Sequence, residues 1–196
     1  MKYFISYLLI IFISLPVNAQ RELDSIAKSP PSAKPWPKRI LAMEKKNHTC
    51  VRKSTTSFSA RIRKFPFNQA AQIRLISFKG RQIPILNDTV DYSKLEEVKT
   101  LTLRQIDSLT DIIYNIGYGG TILIIEELKC YDPRNAILFV NSKGETFAFI
   151  EICFECFQLS ARPENIGVGD LCDEKFSLLK RQFLNAGILY GTKILE

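Results

Sequence analysis

Asn135-Ala136-Ile137-Leu138-Phe139-Val140, then Asn141-Ser142-Lys143-Gly144, then Glu145-Thr146-Phe147-Ala148-Phe149-Ile150-Glu151-Ile152-Cys153-Phe154 is the stretch that decides the fold class. Asn135–Val140 is an apolar run short enough for a strand, the mark of a strand buried on both faces. Asn141–Gly144 carries turn chemistry, with glycine where a positive φ is wanted. Glu145–Phe154 is the returning strand. Its alternation puts Glu151, Cys153 and Glu155 on one face, and Ile150, Ile152, Phe154 and Cys156 on the other. The polar side of such a strand is expected to face solvent.

Ahead of this hairpin, Ala71–Lys79 alternates as a strand whose phase slips at Leu75-Ile76, implying a bulge or two-sided burial. Ser57–Phe67 is rich in β-formers, and Gln82–Leu86 is a short strand candidate before an Asn87-Asp88 turn. Leu103–Ile116 has apolar residues at helical spacing, opened by a Thr102/Gln105 capping box and stopped at Gly117. A second helix spans about Asp173–Asn185 with Gly187 as its stop. Lys38–Lys46 forms a short basic helix whose apolar side is Ile40, Leu41 and Met43. Ile122–Leu128 and Ile188–Tyr190 read as short strands. The expected fold is a single α+β domain with a mainly antiparallel sheet and two main helices.

The beginning of the chain reads as a secretory signal over residues 1–19. Lys2 precedes the apolar run Phe4–Leu15, Pro16 ends it, and Val17 and Ala19 place small residues before Gln20. The run is short for a bilayer span, which takes roughly 20 residues. Residues 20–56 follow as a proline-rich and then basic arm, with Pro30, Pro31, Pro35 and Pro37, and residues 57–196 form the domain. The expected location is outside the cytoplasm, periplasmic or secreted.

The formal net charge is +7. It is concentrated between Lys34 and Lys64, where Lys34, Lys38, Arg39, Lys45, Lys46, Arg52, Lys53, Arg61, Arg63 and Lys64 stand against Glu44 alone. Such a segment suits an anionic partner: an envelope surface or an acidic polysaccharide. It has too few aromatics for base stacking, which argues against nucleic acid. The alternative is a solvated basic face.

Five cysteines occur: Cys50, Cys130, Cys153, Cys156 and Cys172. In an exported chain disulfides are the default, and an odd count leaves one thiol over. Hairpin register brings Cys130 opposite Cys156, with Cys153 left to Cys172 and Cys50 as the odd thiol. Two other readings stay open. Cys153 and Cys156 have the spacing of a redox pair. Cys130, Cys153, Cys156 and Cys172 together partly match a zinc site. Otherwise no metal or cofactor is implied. The single histidine, His48, lies in a polar stretch and is expected to be exposed. No phosphate-binding glycine loop or nucleophile elbow is present.

Three segments carry a resemblance: Cys130-Tyr131-Asp132-Pro133-Arg134-Asn135-Ala136-Ile137, Glu151-Ile152-Cys153-Phe154-Glu155-Cys156, and Gly187-Ile188-Leu189-Tyr190-Gly191-Thr192. Together they resemble a group of small exported proteins of Bacteroidetes-type bacteria. The resemblance implies a bacterial, exported origin, with the Asn47 and Asn87 sequons unglycosylated, and adds no chemistry. The expected function is a non-enzymatic binding or structural module of the cell envelope. The alternative is a thiol redox or metal-binding protein using Cys153 and Cys156.

Overall fold

The computed structural model describes residues 36–86, 89–124 and 130–192. The secretory segment, most of the proline-rich arm and the Asn87-Asp88 turn lie outside the described residues. In chain order the elements are α1 (Lys38–His48), β1 (Cys50–Arg52), α2 (Phe58–Arg61), β2 (Gln72–Phe78), β3 (Ile85–Leu86), β4 (Thr89–Val90), β5 (Leu95–Thr100), α3 (Leu103–Asn115), β6 (Ile116–Tyr118), β7 (Asn135–Val140), β8 (Thr146–Cys153), β9 (Gln158–Arg162) and α4 (Lys175–Ala186).

The central sheet is antiparallel throughout, in the order β5-β2-β7-β8-β9. Two-stranded pairs β1-β6 and β3-β4 flank it. The fold is therefore α+β, as expected. All six residues of β7 are buried. The reason is a core on each face of the sheet. On one side Leu75, Ile137, Phe139, Ala148, Ile150 and Ile152 pack with Leu109, Ile112 and Ile113 of α3 and Phe176, Leu179 and Phe183 of α4. On the other, Ile76, Phe78, Ala136, Leu138 and Val140 are covered by Ile83 and Val90. Two-sided burial thus explains the phase slip in β2, and a register irregularity against β5 falls at Ser77/Phe78.

α3 begins where its residues dictate. The Thr102 hydroxyl accepts the Gln105 N–H at 3.3 Å, and the Gln105 side chain accepts the Thr102 N–H at 2.9 Å. Its last carbonyls find partners outside the helix: Asn115 O accepts the Lys53 N–H at 2.8 Å, and Ile113 O accepts the Lys175 ammonium at 3.1 Å. α4 ends at Gly187, whose φ of +86° only glycine adopts without strain.

Four expectations are corrected. Ser57–Phe67 is not a strand but α2 and a 3-10 turn, because Arg61 turns inward to meet α3. Ile188–Tyr190 forms no strand; instead Glu97 accepts the N–H groups of Leu189 and Tyr190, each at 2.9 Å. Residues 122–124 are not a strand, and the rest of that candidate lies outside the described residues. Residues 38–56 belong to the folded unit rather than to an arm, since β1 pairs with β6.

Candidate functional site

The basic residues differ in how far the fold uses them. In α1, residues seven apart return to nearly the same face of the helix. Lys38 with Lys45 and Arg39 with Lys46 therefore form one exposed stripe. The opposite side of the helix presents Glu44, which is buried. Leu41 and Met43, the expected apolar side, are exposed. Glu44 faces inward because its Oε1 accepts the main-chain N–H groups of Leu123 at 2.9 Å and Ile124 at 2.8 Å. Those bonds, the Ile124 bond foremost, hold its carboxyl below the usual range.

Of the rest, Arg52, Arg61 and Lys64 are committed to the fold. Arg52 grips Asp111 with both guanidinium arms, at 3.0 and 2.8 Å. That contact, more than any other, pulls the Asp111 pKa down to about 2. Arg61 is buried, ion-paired to Asp107 and bonded to the Thr110 hydroxyl at 3.1 Å. Arg61 is thus removed from the expected anionic-surface set by its own burial. Lys64 sits 4.2 Å over the Tyr114 ring, and burial pushes the Tyr114 hydroxyl up to about 12. Lys53 and Arg63 are exposed. A polar groove of about 540 Å³ lies beside the ion pairs, lined by Arg52, Ser57, Arg104, Asp107, Ser108 and Asp111 among others.

The cysteines do not pair as the sequence suggested. Cys50 is bonded to Cys172, with Cα atoms 5.1 Å apart and a separation of 122 residues. Cys50 is therefore not the odd thiol, and Cys153 does not pair with Cys172. The zinc set that needed Cys172 is lost with it. Among the described residues, no group of three or more His, Cys, Asp and Glu side chains is arranged to hold a metal ion. The physical reason for the pairing is β1. It docks on β6, and Glu174 accepts the Cys50 N–H at 2.8 Å, bringing Cys50 to the residues that open α4.

Cys130, Cys153 and Cys156 carry free thiols. β8 and β9 are joined by the turn Phe154–Phe157, in which Phe157 takes a φ of +52°. This turn brings together two cysteines that a regular strand would point apart, and the Cys156 N–H donates to Cys153 Sγ at 3.2 Å. The Cys156 thiol also interacts with that of Cys130. The register explains this contact: Asn135 faces Ile152, so Cys130 extrapolates to the residues of the turn. Cys130 and Cys156 are thus neighbours, as the hairpin arithmetic expected, without being bonded. Burial raises the pKa of both Cys153 and Cys156, and their mutual contact raises that of Cys153 further. The expected solvent side of β8 is covered: Glu151 is buried, accepting the Ile83 N–H at 2.8 Å, and only Glu155 is exposed. Tyr131 reaches Glu151 at 3.5 Å, and burial, then the Glu151 charge, pushes its hydroxyl above the usual range.

His48 is half-buried rather than exposed. Its ring lies 3.4 Å from Glu44 and 3.6 Å from Asp173, and it packs edge-to-face with Tyr118. The i, i+4 spacing of Glu44 and His48 was a readable signal for this contact. Asp173 had none, since it arrives from 125 residues away.

No known protein family, characterised protein or solved structure matches this chain.

Proposed function

We propose that this is an exported cell-envelope protein, periplasmic or secreted, that acts without catalysis as a binding module for an anionic envelope surface or acidic polysaccharide. The observation that supports this reading is the α1 stripe. Lys38, Arg39, Lys45 and Lys46 are exposed and have no ion-pair partner among the described residues. Their helix is held by the adjoining Cys50–Cys172 bond, so the charges are presented from a fixed support. Disulfides persist in oxidising compartments, which fits export. Among the described residues no helix is long and apolar enough to cross a membrane.

Each cation near an anionic surface contributes about 1 kcal/mol at moderate salt. Replacing all four by glutamine should then weaken binding by up to about a thousandfold. The test measures retention of the chain beginning at Gln20 on heparin, on phosphatidylglycerol vesicles and on neutral phosphatidylcholine vesicles, across a salt series. Salt-sensitive retention on an anionic support, lost in the fourfold variant, supports the reading, and the heparin and vesicle arms separate polysaccharide from lipid. Equal retention on neutral and anionic supports, or an unaffected variant, overturns it.

A further inference from the structure

We propose that Cys130, Cys153 and Cys156 form a thiol–disulfide exchange site, in which exposed Cys130 accepts a small-molecule disulfide and passes the bond inward to the buried pair. This reading stands apart from anion binding, since it uses the far end of the β7–β8 hairpin.

Three observations carry it. The thiols gather at one end of the hairpin: the Cys156 N–H donates to Cys153 Sγ, and the register of β7 against β8 carries Cys130 to the same turn. Their exposure is graded: Cys130 is exposed, Cys156 is 5 % exposed and Cys153 is 1 % exposed. The turn already holds Cys153 and Cys156 close, with the 3.2 Å N–H···S bond between them, so a bond there needs little main-chain movement.

The steps balance as follows. The Cys130 thiol loses its proton, and the thiolate attacks one sulfur of a disulfide RSSR. The S–S bond of RSSR breaks, the Cys130–SR bond forms, and RS⁻ leaves and takes up a proton. Cys156, deprotonated in turn, attacks the Cys130 sulfur, forming Cys130–Cys156 and expelling the second RS⁻. Two thiols are oxidised and one RSSR is reduced to two RSH. Cys153 can then attack the Cys156 sulfur, giving Cys153–Cys156 and returning Cys130 as a thiol, with no net redox change. Thiolate is the attacking species at each stage. The raised pKa values of Cys153 and Cys156 therefore make the inward steps slow at neutral pH and faster as pH rises.

The test incubates the folded chain with glutathione disulfide and follows alkylatable thiols and non-reducing peptide maps. The wild type should go from three free thiols to one, ending in a Cys130–Cys156 or Cys153–Cys156 link with Cys50–Cys172 unchanged. In Cys156→Ser a mixed disulfide with glutathione should accumulate at Cys130, because its resolving thiol is gone. In Cys130→Ser oxidation of the buried pair should slow by about tenfold or more, since access limits exchange. Cys153→Ser should still form Cys130–Cys156, which distinguishes loss of a relay member from loss of fold. The proposal is overturned if the wild type keeps three thiols, if Cys156→Ser traps no adduct, if Cys130→Ser reacts at the wild-type rate, or if the thiols become reactive only after a chelator removes metal.

Discussion

Lys175 is the most exposed to a quantitative test because it is almost wholly hidden. It is 1 % accessible, its ammonium donates to Ile113 O at 3.1 Å, and Gly169 closes over it so tightly that a Cβ there would collide with the same carbonyl. The bond caps the C-terminal end of α3, where a positive charge also meets the negative end of the helix dipole. Burial nonetheless dominates: it lowers the Lys175 pKa from 10.5 to about 8, with Asp170 opposing the shift. The sign follows from proton counting. Between pH 8 and 10.5 the unfolded chain keeps the proton that the folded chain has released, so stability rises with pH in that window. The full shift is worth on the order of 3 kcal/mol. Lys175→Met removes this dependence. Urea denaturation of both proteins from pH 7 to 10.5 should show the wild type gaining on the variant by on the order of 3 kcal/mol, mostly above pH 8. With a urea slope of about 2 kcal/mol/M the midpoint difference moves by about 1.5 M. Titrating thiols and tyrosines, common to both proteins, cancel in the comparison. Parallel pH profiles would refute the account of a charged, buried lysine.

The opposite sign holds for Asp111. Its carboxyl is held down at about 2, so its contribution is present above pH 3.8 and is lost as pH falls toward 2; acid denaturation of Asp111→Asn should lack that component of roughly 1–2 kcal/mol. Thr102→Ala removes the α3 capping box and should lower stability by about 1 kcal/mol in thermal or urea melts. Reducing Cys50–Cys172, or replacing both with serine, should cost up to about 5 kcal/mol given the long loop it closes, and peptide mapping of the untreated protein should recover the Cys50–Cys172 link.

The features readable in the residues alone are local or nearly so. The β7–turn–β8 hairpin, the start of α3 at Thr102 and the end of α4 at Gly187 were legible because each depends on residues within a few positions of one another. The contact of Cys130 with Cys156 was legible for the same reason, since register along one hairpin propagates arithmetically. Features that depend on distant partners were set by the packing of the whole chain. The Cys50–Cys172 bond joins residues 122 positions apart, and nothing near Cys50 announces β6 or the start of α4. Arg61 reads as one more cation in a basic run until Asp107 and Asp111 of α3 arrive to bury it. Glu151 and Cys153 sit on a side of β8 that alternation assigns to solvent, yet the Ile83 segment covers it. Alternation reports which residues share a face; it does not report whether another segment comes to lie on that face, because that contact is set by the global packing of chain far away in sequence.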